Sequence, residues 1–139
     1  MSFDIAVGDR LPTLTKTFDR EALVKYAAGS GDFNPLHYDA DFPKVQSTGG
    51  NIVHGRFKYA AMGQCVSDWL AHRGWVGSIS AQYRGMDLVS TTFTCEGEVT
   101  GVRDECDGRV VELKLWTAAA DGTQTTVGQA EVVIPQAAN

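Results

Sequence analysis

No uncharged apolar run in the chain approaches the ~20 residues that a membrane span requires. Basic charge is short as well. Twelve Lys and Arg stand against 17 Asp and Glu, giving a formal net charge of -5 and a pI near 5.0. That balance argues against a nucleic-acid binder, which presents a basic face, while leaving room for local positive pockets that hold phosphates. Cysteine is sparse, and Cys65, Cys95 and Cys106 are odd in number and far apart. They fit neither a disulfide framework nor a zinc spacing, so reduced thiols are expected, with Cys65 and Cys95 as core filler. Met1 runs into SFDIAVGDRLP, which has neither a basic n-region nor an apolar h-region. No secretory signal is expected, and a cytoplasmic location is the default. Repeats, low-complexity tracts and linkers are missing too. One domain spanning 1–139 is expected.

What is present is the composition of an ordinary globular protein, 43% hydrophobic and 21% charged. Residues 3–17 read as an entry loop with one short strand. Asp19 is a fair N-cap for REALVKYAA, whose Leu23, Val24 and Ala27 form a short apolar stripe. Gly29 and then Gly31 are expected to end that helix. Turn chemistry is dense from Ser30 to Pro43, and a second loop is expected over QSTGGN, residues 46–51.

Ile52–Ala71 is the most distinctive segment. No charged residue occurs between Lys58 and Asp68, and small and apolar residues surround the helix implied there. Such a helix should be enclosed, with Gly63 packed closely against another backbone. After Gly74 the period changes to two. Ile79, Ala81 and Tyr83 alternate with polar residues, as do Phe93–Val99, Val111–Leu115 and Gly128–Ile134. Asp107-Gly108 and Asp121-Gly122 supply turns. The tail QAAN is expected to fray. An antiparallel sheet must cover the uncharged helix, so the pattern predicts an α+β fold with the sheet curled around a long central helix. An edge strand left over would be disposed of by pairing with a second copy, so dimerisation is expected.

The chemistry concentrates in Tyr26–Tyr38, YAAGSGDFNPLHY, with His54-Gly55 as its companion. Asp32, Asn34 and His37 lie within six residues of irregular backbone. Asp32 reads equally well as a turn residue, Asn34 as a loop-holding amide, and His37 as a hydrogen-bonded loop histidine. Asp32, His37, Asp39 and Asp41 cluster, but their spacing matches neither a zinc motif nor a calcium loop, so no metal is expected. Ser30 is the local candidate for a nucleophile and lacks an elbow motif. His54-Gly55 could simply start the helix. Its functional alternative uses the first free helix amides, which can receive a carbonyl oxygen gaining negative charge. Glycine at 55 would let a substrate approach the backbone.

YAAGSGDFNPLH resembles the signature of the MaoC-like, or R-specific, enoyl hydratases of the hot-dog fold, and IVHG resembles that family's landmark at the head of the central helix. The likeness covers nearly the whole chain. It implies that Asp32 and His37 hold a water and act as the acid–base pair, with Asn34 orienting the loop. It implies that the Gly55 N–H, with His54 beside it, receives the thioester oxygen of a trans-2-enoyl-CoA or acyl-carrier-protein substrate. Water would add syn to give the (3R)-hydroxyacyl thioester, without metal or organic cofactor. Two departures stand out. Pro43 occupies a place where the family often has Ala or Ser, and Arg56 follows His-Gly where Met is common. Arg56 and Lys58 are expected either to bind CoA or carrier phosphates or to flank the helix entrance in solvent.

Other readings stay open. VSDWLAHRGWVGSISAQYRGMDLV is similar to actinobacterial members of the family, which include partners in heteromers, so a homodimer and a heterodimer are both expected possibilities. The substrate could be fatty, carrier-bound or steroid-derived. A non-catalytic subunit completing another chain's pocket is one alternative, and a hot-dog thioesterase is a weaker one.

Overall fold

A computed structural model describes residues 4–136. Of the QAAN tail expected to fray, all but Gln136 lies outside the described residues. The elements run β1 (Leu14–Thr17), α1 (Arg20–Ser30), a 3-10 turn (Pro35–His37), α2 (Pro43–Thr48), α3 (Gly55–Leu70), β2 (Trp75–Tyr83), β3 (Thr92–Glu105), β4 (Gly108–Ala119) and β5 (Gln124–Ile134). One antiparallel five-stranded sheet has the order β1-β3-β4-β5-β2. It curls over α3, the arrangement the sequence pattern predicts, with β1 as a fifth strand beyond the four long alternating segments.

The alternation fixes what the sheet offers to the helix. Phe93, Cys95 and Val99 of β3, Val111, Leu113 and Leu115 of β4, and Ala130 and Val132 of β5 are buried. They form one core with Ala61, Met62, Cys65 and Val66 of α3. Cys65 and Cys95 are the core filler expected of them, and burial pushes their thiols up to about 11 and about 12. Gly128 permits the closest approach in this layer. A Cβ there would lie 2.2 Å from the Ser80 carbonyl oxygen and 2.9 Å from Met62 Cε.

Several local expectations are corrected. The first helix runs through Gly29 and ends at Gly31, whose left-handed φ of 77° suits glycine. Val24 points outward from it and is exposed. Lys44–Thr48 is helical, because Pro43 takes the first-turn position where no N–H is needed. α3 is enclosed on one face only, since Arg56, Ala60, Gln64 and Ser67 remain exposed. Nor is Gly63 packed against a backbone, for a Cβ there would meet nothing within 4 Å.

Candidate active site

Asp19 caps α1 by accepting the Ala22 N–H at 2.8 Å, and Gly31 turns the chain out of the helix. The loop that follows is held by its own side chains. Ser30 Oγ donates to the Tyr26 carbonyl at 2.7 Å and accepts the Asp32 N–H at 3.2 Å, so the serine is structural. Asp32 Oδ1 accepts the Asn34 N–H at 3.3 Å. Asn34 Oδ1 accepts the Leu36 N–H at 3.1 Å and thereby caps the 3-10 turn that carries His37. Asp32 and Asn34 therefore both hold the turn, and the turn is what presents His37.

The turn leaves the second oxygen of Asp32 free to face His37. Oδ2 lies 3.7 Å from His37 Nε2, with the Asp32 side chain 46% exposed and the His37 side chain 10% exposed. His37 Nδ1 lies 2.7 Å from the Ile52 carbonyl oxygen. A carbonyl only accepts, so Nδ1 carries a proton, and whenever the ring holds no second one Nε2 offers a lone pair. Carboxylate and lone pair are both acceptors, separated by more than a hydrogen bond. The gap fits a donor with two O–H groups, which is what a water molecule is.

His54 stands behind this pair. Its ring stacks on His37 at 3.7 Å between centroids and 21° between planes. Nε2 donates to the Asp32 carbonyl at 3.2 Å. Nδ1 is buried without a partner among the described residues. Burial first, and the neighbouring His37 second, hold the His54 pKa below its usual value. The grouping of His54 with substrate contacts is thus corrected: its side chain is 1% exposed and braces the loop from within. Asp32, His37 and His54 are also near enough to be read as three metal ligands. The two ring planes are only 21° apart, however, so their in-plane lone pairs lie in nearly parallel sheets and cannot both aim well at one ion.

The rings continue inward. Tyr26 meets His54 edge-on at 4.9 Å, Phe57 stacks on Tyr26 at 4.3 Å, and Phe18 stacks on Phe57 at 3.7 Å. Phe93 closes the column edge-on at 5.6 Å from Phe18, inside the core. Tyr26 and Phe57 were not singled out in the sequence. The aromatic at the head of YAAGSGD was visible there, but nothing local says which ring it meets.

α3 begins at Gly55, and the first carbonyl to accept within it is that of His54, from Phe57 and Lys58. The Gly55 and Arg56 amides precede that first bond and lie at the positive end of the helix. The space above Gly55 is used differently from expectation. A Cβ there would sit 3.1 Å from three atoms of the Tyr83 ring, so glycine admits Tyr83 to the backbone. Arg56 is exposed and lines an open cleft of about 450 Å³ with Tyr26, Tyr59, Ala60, Ala81 and Tyr83. Lys58 is corrected outright. It is 1% exposed and reaches neither solvent nor a phosphate, because Nζ is paired with Asp87 Oδ2 at 2.9 Å and with the Gly85 carbonyl at 3.0 Å.

The family model described as MaoC like domain matches residues 4–120. The chain belongs to the MaoC-like domain family. The (R)-specific enoyl-CoA hydratase of Aeromonas caviae is 28% identical over 124 residues, covering 88% of this chain and 90% of that protein. The solved structure of the (R)-hydratase from A. caviae involved in PHA biosynthesis superposes with a TM-score of 0.86 at 26% identity, over 96% of this MaoC-like chain and 100% of that one. The curled sheet over α3 is thus a hot-dog fold. A ChsH1-ChsH2 complex from Mycobacterium tuberculosis shares the fold at a TM-score of 0.78 and 24% identity, over 93% and 98% of the two chains.

Proposed function

We propose that this MaoC-like protein is an (R)-specific enoyl-thioester hydratase, running in reverse as a 3-hydroxyacyl-thioester dehydratase. The observation that carries the reading is the 3.7 Å pairing of Asp32 with a His37 whose tautomer leaves Nε2 open, beside the N-terminus of α3. Water held between the two loses a proton to the pair as its oxygen bonds the β-carbon. The pair returns that proton to the α-carbon from the same face, so the addition is syn. Charge passing onto the thioester oxygen is met by the Gly55 N–H and the helix dipole. None of these steps calls on a metal or an organic cofactor. The A. caviae hydratase supports this reaction class at 28% identity.

The substrate in this proposal is a trans-2-enoyl thioester of CoA or of a carrier protein, with Arg56 placed to meet a phosphate at the cleft mouth. The active form is a dimer. Support comes from the exposed face of α3 and from β2, a nine-residue strand at the sheet edge. A second reading, a subunit that completes another hot-dog chain, is supported by the ChsH1-ChsH2 structure being a complex. Retention of the Asp32–His37 pair weighs against it.

Hydration of crotonyl-CoA and of a longer enoyl-CoA, followed by loss of enoyl-thioester absorbance, tests the proposal. Asp32→Asn and His37→Ala should each lower kcat by about 100-fold or more, the scale of lost general acid–base catalysis. The wild-type product should be 3R. Wild-type rates in either variant would sink the assignment, and release of free thiol would make the protein a thioesterase. A folded wild type inert towards both thioesters favours the second reading.

A further inference from the structure

Lys58 and Asp87 form an ion pair with both side chains 2% exposed. Thr125 donates its hydroxyl to the same Asp87 oxygen, and Thr117 lies 3.0 Å from Thr125 Oγ1. Two charges buried this deeply gain little stability over an apolar pair of similar volume, so their use must be sought in geometry.

The geometry is directional. Asp87 belongs to the loop joining β2 to β3. That loop is fastened to β5, because the Arg84 and Gly85 amides both donate to the Thr125 carbonyl at 2.9 Å. It is fastened to α3 through Lys58. Thus fixed, it offers one carbonyl and one amide to the segment 51–53. The Val53 N–H donates to the Asp87 carbonyl at 2.8 Å, and the Val89 N–H donates to the Asn51 carbonyl at 2.8 Å. Ile52, between them, turns its own polar groups the other way. Its N–H points to the Leu36 carbonyl at 3.4 Å, and its carbonyl accepts His37 Nδ1 at 2.7 Å. Asn51 adds two bonds to the same loop, donating to the Leu36 and Asp39 carbonyls at 3.0 and 2.9 Å. A three-residue ribbon therefore has the Asp87 loop on one edge and His37 on the other.

We propose that the buried Lys58–Asp87 pair is a positioning device for His37, fixing the Ile52 carbonyl and through it the ring orientation and tautomer. Neither residue touches substrate. The inference rests on His37 being the acid–base histidine, but its structural half is read without any turnover.

The test is Lys58→Met/Asp87→Leu, which keeps volume and removes both charges together, with ring-nitrogen NMR of His37 beside steady-state kinetics. The expected result is a folded protein whose His37 signals move from the single Nδ1–H tautomer towards an average of both. Its kcat, counted per folded molecule, should fall about ten-fold with KM changed less than two-fold. An inactive fraction would also lower kcat alone, so the His37 signals decide between the two. A folded double variant with wild-type His37 signals overturns the proposal. Should the double variant fail to fold, Asp87→Asn keeps the shape of the side chain and removes the charge that pairs with Lys58. It should shift the His37 signals in the same direction by less, and unchanged signals in that folded variant overturn the proposal equally. Because the NMR signature needs no substrate, a wild type inactive on every enoyl thioester would sink the hydratase reading and leave this one decidable.

Discussion

At the scale of single residues, His54 carries the sharpest consequence. Its Nε2 proton is committed to the Asp32 carbonyl and its Nδ1 has no partner among the described residues. A second proton would place a positive charge in a buried site against His37, and for that reason its pKa is lowered from 6.5. The sign follows from linkage. Below pH 6.5 the unfolded chain takes up a proton that the folded chain refuses, so stability present above that value is lost as pH falls through the folded pKa. The urea midpoint should therefore drop between pH 7.5 and pH 5.5. In His54→Phe, which keeps a stacking ring and cannot ionise, that drop should be smaller. An equal drop in both proteins would remove His54 as its cause.

Lys58 shows why residue chemistry is not always legible in sequence. A lysine flanked by Phe57 and Tyr59 near a helix start reads as a surface charge, because its carboxylate partner is 29 residues away and in a loop. His37 was legible as a residue. Its tautomer was not, since Ile52 enters the site through a backbone oxygen, and backbone oxygens leave no trace in residue identity.

Among elements, the strands were legible because alternation is a commitment repeated at every second position. Phe93, Cys95 and Val99 lie on the buried face as that period requires. α2 was not legible, having six residues and only Val45 buried, too little for a period to appear. Gly63 and Gly128 look alike in sequence and differ in space: one faces an opening, and the other lies where β5 meets β2 and α3. Gly128→Ala should accordingly cost about 3 kcal/mol, at the upper end of overpacking, because the nearest obstacle is the Ser80 carbonyl and backbone cannot swing away. Gly63→Ala should cost nothing in the isolated chain and gain a little helix propensity. Chemical denaturation of the two variants separates them. Equal midpoints would mean that β5 and β2 can part without penalty.

For the whole molecule, the sheet order leaves two unequal edges. β1 is four residues long and blunted by its shortness, whereas β2 is nine residues long and carries exposed Trp75 and Tyr83. Long open edges invite pairing. Sedimentation at micromolar concentration should return about 30 kDa, twice the 15.0 kDa of one chain. A monomer under those conditions would remove the dimer from the proposed function and turn attention to a different hot-dog partner. The curl of the sheet over α3 could be foreseen from one uncharged helix and its alternating strands. Which strand would end at the edge could not, because β2 joins beyond β5 rather than beside β3, and side-chain period does not encode strand order.

The stacked imidazoles of His37 and His54 have one more consequence. Each ring lies in the shielding region of the other's circulating π electrons, so the carbon-bound protons of both should resonate upfield of an isolated histidine's. The site therefore contains its own magnetic gauge. Any ligand that pries His37 from His54, or presses the two closer, will register in those two spin systems before a single bond is made or broken.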